Sequence, residues 1–194
     1  IWKPHVTPKL RLCSYLLNLL LMISWLPLLV FSIYCFIFNL NDLSTEHILT
    51  GSLFGMFTGL TMHELGHMFA CLGYGGRVFE AGLMLQFMLP GAYVLLDSSR
   101  IKKRMRRIQI SAAGIEMNFL LAAIFLIAAS VNEILSGFFM GASIQNIFLA
   151  FLNITFVKGF DGMSIMGELL GIEDFVDKAG KVTRSKMRKN KLQK

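Results

Sequence analysis

Four stretches of this chain, about 12–38, 48–72, 108–131 and 138–157, are apolar over lengths that can cross a bilayer. This pattern restricts the fold more than any other property. Inside hydrocarbon every backbone N–H and C=O must be paired within the protein, and a helix does this within its own segment. The chain is 55% hydrophobic and 16% charged, where soluble domains carry about 25% charged residues. The expected fold class is therefore an all-α polytopic membrane protein with about four transmembrane helices. Gly73-Tyr74-Gly75-Gly76 ends the second apolar stretch, because glycine supplies turn conformations that a helix cannot. Phe79 to Leu96 is also apolar but is short and is interrupted by Gly82, Pro90 and Gly91. It is expected to be a re-entrant or β-like segment between the second and third helices, with its backbone satisfied by neighbouring protein or water.

Charge orients these helices. The formal net charge of +7 could suggest nucleic acid as a partner. The basic residues, however, lie between and after the apolar stretches, and no zinc-finger, helix-turn-helix or aromatic RNA-binding pattern is present; no nucleic acid is expected. Six of the eight residues Arg100–Arg107 are basic, and the tail from Lys178 to Lys194 carries eight Lys or Arg and no acid. The loops at about 39–47 and 132–137 carry no Lys or Arg. With four crossings, the N-terminus, the 73–107 segment and the tail share one face, which the positive-inside rule makes cytoplasmic. The domain reading is one integral-membrane unit over 1–177, its core at about 48–165, followed by a basic cytoplasmic tail at 178–194. The first apolar stretch is too long for a signal core and lacks a small-residue cleavage site, so it is expected to remain as a helix. Cys13, Cys35 and Cys71 show no paired spacing and read as thiols in or beside apolar segments.

The second apolar stretch contains His63-Glu64-Leu65-Gly66-His67. On a helix, H-E-x-x-H places two imidazoles on one face at i and i+4, with the glutamate beside the metal they hold. Ionisable groups in a membrane span are functional-site candidates by default. The topology puts His63 and His67 in the cytoplasmic half of the second helix. The fourth helix, running in the same direction, is expected to end at Phe160-Asp161-Gly162, and Asn118 lies about ten residues into the third. Catalytic zinc takes three protein ligands and leaves one position open. His63, His67 and Asp161 are the expected Zn2+ ligands, Glu64 the general base, and Asn118 a hydrogen-bond donor to the oxyanion of the reaction. Taken alone, Asp161 would be an ordinary Asp-Gly turn and Asn118 an interhelical hydrogen-bonder. Glu80, Asp97 and Glu116 read as interfacial.

Three motifs in order resemble the site-2 protease family of intramembrane zinc metalloproteases. They are His63-Glu64-Leu65-Gly66-His67, then Ala113-Gly114-Ile115-Glu116-Met117-Asn118, then Asn153 through Phe160-Asp161-Gly162. The resemblance covers about residues 50 to 165. It implies His63, His67 and Asp161 as zinc ligands, Glu64 as general base and Asn118 as a substrate or transition-state contact. A narrower resemblance, in Met88-Leu89-Pro90-Gly91-Ala92-Tyr93 and in Gly167-Glu168-Leu169-Leu170-Gly171-Ile172, is to the bacterial peptide zinc metalloprotease branch. It implies a bacterial cytoplasmic membrane and small-peptide substrates. The chain departs from the family at Ile115, Phe156 and Lys158, where prolines are frequent, and at Phe160, where leucine is usual.

The expected function is hydrolysis of peptide bonds in or near the bilayer by a zinc-dependent metalloendopeptidase. Its partners are membrane lipid and a membrane-spanning or hydrophobic small-peptide substrate. Two other readings are an inactive relative that scaffolds hydrophobic peptides and a membrane zinc transporter. The transporter fits less well, because the polar residues cluster at one depth.

Overall fold

A computed structural model describes residues 6–38, 46–86, 89–157 and 159–171. Among these residues, five helices and one small sheet follow in the order α1 (Pro8–Phe38), α2 (Ile48–Gly73), β1 (Arg77–Gln86), β2 (Leu89–Asp97), α3 (Arg104–Val131), α4 (Ser136–Ile154) and α5 (Asp161–Leu170). The basic tail at 178–194, Met88, Lys158 and most of the 39–47 loop lie outside the described residues. Among the described residues, α1, α3 and α4 are long and apolar enough to cross a membrane. The 26 residues of α2 have the length, but its glycines and its His-Glu-His motif dilute the apolar content.

α1 begins earlier than the apolar pattern indicates. Thr7 caps it, its Oγ1 accepting the N–H of Leu10 at 3.2 Å, and Pro8 takes the first helical position, where a missing N–H costs nothing. α1 packs on α3, where Trp25 stacks on Phe119 with ring centroids 5.3 Å apart. It meets the end of α2 through Asn18 Nδ2, which donates to the Tyr74 hydroxyl at 3.0 Å.

α2 and α4 approach through small residues. A side chain at Gly51 would collide with the Phe138 carbonyl, and a Cβ at Gly55 would lie 2.6 Å from the Ala142 Cα. Small residues let helix backbones close in this way where hydrocarbon provides no hydrophobic drive, and polar side chains then bond across the seam. Asn146 Nδ2 donates to Gly55 O at 3.1 Å, and Ser143 Oγ donates to Ala122 O at 2.9 Å, tying α4 to α2 and α3. One buried apolar cluster joins Leu21 of α1, Ala70 and Cys71 of α2, Ile101, and Ile110 and Ala113 of α3.

The 79–96 segment is an antiparallel hairpin, registered from Arg77↔Asp97 to Gln86↔Leu89, with an irregularity between Val78 and Glu80. It is β-like, as its composition indicates. The fourth helix differs from the sequence expectation. Instead of running to 157 and ending at Asp161, α4 stops at Ile154 and Thr155 turns extended at φ −65°, ψ 145°. The β-branched Ile154, Thr155 and Val157 weaken the helix there. Thr155 Oγ1 donates to Leu152 O at 2.7 Å, and Gly159 at φ 104° cannot continue a right-handed helix. Asp161 then opens a separate helix, α5, which packs mainly on α3.

Candidate metal centre

Helical spacing in α2 puts His63 and His67 on one face, turned toward α3, with both rings buried. Two glycines make that closeness possible. A Cβ at Gly66 would lie 2.6 Å from Ala113 O, so this residue lets α2 lie against α3. A Cβ at Gly114 would lie 2.5 Å from His67 Nε2 and 2.6 Å from His63 Cε1. Gly114 is therefore the floor under both imidazoles.

Each ring is oriented from behind through Nδ1. His67 Nδ1–H donates to Ile110 O at 2.7 Å, which leaves Nε2 as a bare acceptor when the ring is neutral. His63 Nδ1 meets the Asn118 amide at 3.1 Å, through Nδ2, while Asn118 Oδ1 is buried without a partner. A half-turn of that amide, whose two ends are interchangeable in shape, lets the oxygen accept the N–H of His63 Nδ1. Both Nε2 atoms then face the same point.

Asp161 faces that point from α5. Its Oδ2 lies 2.9 Å from His63 Nε2 and 3.3 Å from His67 Nε2, and the two Nε2 atoms are 3.0 Å apart. With the ring protons placed on Nδ1, nothing is left for Asp161 Oδ2 to accept, and it counts among the buried polar atoms without a hydrogen-bond partner. Three acceptors directed at one another repel unless a cation lies between them. Tetrahedral zinc with bonds of about 2.0–2.1 Å needs ligand–ligand edges of about 3.3 Å. The observed triangle is close to that size, so the donor set fits the ion in chemistry and in scale. His63, His67 and Asp161 form the group of residues able to hold a metal among those described.

Glu64 lines the same cavity of about 330 Å³, together with Val94, Leu96, Ser98, Ile110, Ser111 and Asn153. Its Oε2 accepts the backbone N–H of Val94 at 3.1 Å. That N–H points away from β1, so the outer edge of β2 runs beside the His63, His67 and Asp161 cluster. Asn118 is not among the cavity residues; it is fully buried behind His63. Glu80 accepts from the Tyr93 hydroxyl at 3.3 Å, and Asp97 accepts the Ser99 N–H at 2.9 Å, both on or just after the hairpin. Glu116 accepts from Gln109 Nε2 at 3.0 and 2.9 Å and takes no part in the cluster.

Sequence reasoning brought His63, His67 and Asp161 together as candidates but missed the groups that orient them. The Val94 amide and the Ile110 carbonyl are backbone groups and carry no residue signature. Gly114 was visible as a small residue, although its partners were not.

Residues 51–141 match the family described as Peptidase family M50. That range holds the histidine motif, the hairpin and Asn118, while Asp161 lies beyond it and joins the group through the geometry of α5. No curated protein and no solved structure matches the chain. Over residues 51–141 the chain is similar to Peptidase family M50, the site-2 protease family.

Proposed function

We propose that this chain is an intramembrane zinc metalloendopeptidase, hydrolysing peptide bonds of membrane-spanning or hydrophobic small-peptide substrates in or near the bilayer. The match of residues 51–141 to Peptidase family M50 and three long apolar helices among the described residues support a membrane metallopeptidase at family level. One observation carries the finer reading: three acceptors on α2 and α5 converge within 3.3 Å, with a carboxylate beside them in the same cavity.

In this reading His63, His67 and Asp161 hold the zinc. When bound, the ion supplies Lewis acidity, polarising the scissile carbonyl and making hydroxide available near neutral pH. Glu64 takes the proton of the attacking water and passes it to the leaving amine. The Val94 amide fixes Oε2 of Glu64, so proton transfer falls to the other oxygen. Asn118 acts through His63: it keeps that ring's Nε2 directed at the ligand triangle, as outer hydrogen bonds do in metal sites. The outer edge of β2 can hold an unwound substrate by strand addition, exposing carbonyls that a helix shields.

α2 is the fourth crossing. Its glycines and its ionisable motif are covered by α4 and α3 rather than lipid, which is how polar residues are tolerated at membrane depth. The basic segment 100–107 then lies on the cytoplasmic face with both termini, and the site in the cytoplasmic half of the membrane. The narrower motif resemblance favours a bacterial cytoplasmic membrane. The complete ligand and base set favours catalysis over peptide scaffolding or zinc transport.

The test is cleavage of a hydrophobic peptide by the purified, zinc-loaded chain. Glu64→Gln should abolish cleavage while zinc stays bound. Turnover retained in that variant would remove Glu64 from its role.

A further inference from the structure

Asp161 stands apart from the other two ligands in how it is supported. His63 and His67 belong to α2, which is sealed against α3 and α4. Asp161 follows the end of α4 after an extended Thr155, a positive-φ Gly159 and an extended Phe160. Its position depends on where α5 is anchored.

Two contacts anchor it. At the start, Gly162 sits so close to the last turn of α4 that a side chain would strike the Ile154 carbonyl. Near the other end, Glu168 makes a two-pronged ion pair with Arg107 of α3, Nε to Oε1 at 2.8 Å and Nη2 to Oε2 at 2.9 Å. Arg107 Nη1 also donates to Ile101 O at 2.8 Å, so the same guanidinium holds the segment leaving the hairpin. Paired forks of this kind fix direction as well as distance.

The spacing connects this pair to the metal cluster on both sides. Glu168 lies seven residues after Asp161, about two turns and 10 Å along α5, on the same helix face. Arg107 lies one turn before Ile110, whose carbonyl orients His67. One turn of α3 therefore carries the support for a histidine ligand and the tether for the aspartate.

We propose that the Arg107–Glu168 pair is a positioning device that sets the register of α5 on α3, so that Asp161 completes the ligand triangle with His63 and His67. This rests on the metal-site reading above. Arg107 and Glu168 touch neither metal nor substrate and act only through the placement of Asp161. Losing the pair leaves the two histidines in place and lets the third ligand drift.

The test is cobalt binding to the full chain in lipid nanodiscs, read by visible ligand-field absorption, with Co2+ alone as the probe. Glu168→Gln and the charge-balanced double variant R107Q/E168Q should each weaken affinity by about tenfold to a hundredfold, the scale for outer supports of a metal site. The double variant keeps net charge unchanged, which separates geometry from a simple field effect. In an Asp161→Ala background the same changes should shift affinity by less than about threefold, because the ligand they act through is gone. Unchanged affinity on loss of the pair, with His63→Ala still abolishing binding, would overturn the positioning role and leave the metal site standing. Equal weakening in both backgrounds would also overturn it, since that is the mark of general destabilisation. A wild-type chain that binds no Co2+, or a His63→Ala/His67→Ala variant that binds as well as wild type, sinks the metal site and this proposal together.

Discussion

Gly114→Ala separates the stability of the helices from the integrity of the metal centre, because it pushes the two in opposite directions. Alanine is the better helix former, by about 0.8–1.0 kcal/mol in a helix interior, so α3 itself gains from the change. The added methyl, however, would sit 2.5 Å from His67 Nε2 and 2.7 Å from His63 Nε2, where ordinary contact begins near 3.4 Å. Either the rings retreat by about 0.9 Å, the difference between those values, or the close α2–α3 packing at Gly66 and Ala113 opens to make room, and both displace the ligand triangle. Metal–ligand distances tolerate only about 0.2 Å. A displacement of about 1 Å at reacting groups costs about a hundredfold in rate. The expected result is a helical, folded chain whose Co2+ affinity and peptidase turnover both fall by about a hundredfold. Circular dichroism, ligand-field absorption and a peptide-cleavage assay on one preparation measure all three. Wild-type metal affinity and turnover in Gly114→Ala would refute the claim that this glycine is the floor of the site.

Other outcomes follow from the same geometry. Val94→Pro removes the N–H that holds Glu64 but takes no rung from the β1–β2 ladder, since that N–H faces α2; turnover should fall by about tenfold or more with metal affinity unchanged, as for a lost orienting hydrogen bond. Asp161→Ala should weaken zinc binding sharply while leaving the α1–α4 packing intact, which metal titration and thermal unfolding together will show. Gly55→Val overpacks the α2–α4 seam, where a Cβ already meets Ala142 Cα at 2.6 Å, and should destabilise the fold by about 1–3 kcal/mol, read as a lower unfolding temperature.

How much of this was legible before the structure depended on whether the information lay in side-chain chemistry or in backbone placement. The apolar stretches that became α1, α3 and α4 could be read directly, because lipid demands an unbroken apolar run. The hairpin was half legible: Gly82, Pro90 and Gly91 argued against a crossing helix, yet the register that presents Val94 to Glu64 is a property of pairing. Asp161 was legible as a candidate ligand, but its helix was not. Phe156 and Val157 continue the apolar run, so hydrophobicity alone carries the fourth helix past the point where β-branching and Gly159 stop it. Arg107 was hidden inside a basic cluster that membrane orientation already explained, and its contacts with Glu168 and the Ile101 carbonyl appear only in the structure. Asn118 was recognised as polar at the right depth. That its amide faces His63 rather than the cavity depends on the rotation of α3, which no motif encodes.

The central claim is a zinc ion held by two imidazoles and one carboxylate. Zinc K-edge X-ray absorption on the purified full chain tests it most directly. The expected spectrum shows about one zinc per chain, with nitrogen and oxygen neighbours at about 2.0–2.1 Å, a pattern of imidazole scattering from two rings, and no sulfur shell near 2.3 Å. Loss of one imidazole contribution in His67→Ala should accompany it. A sulfur shell, or a chain that retains no zinc while folded, would contradict the account.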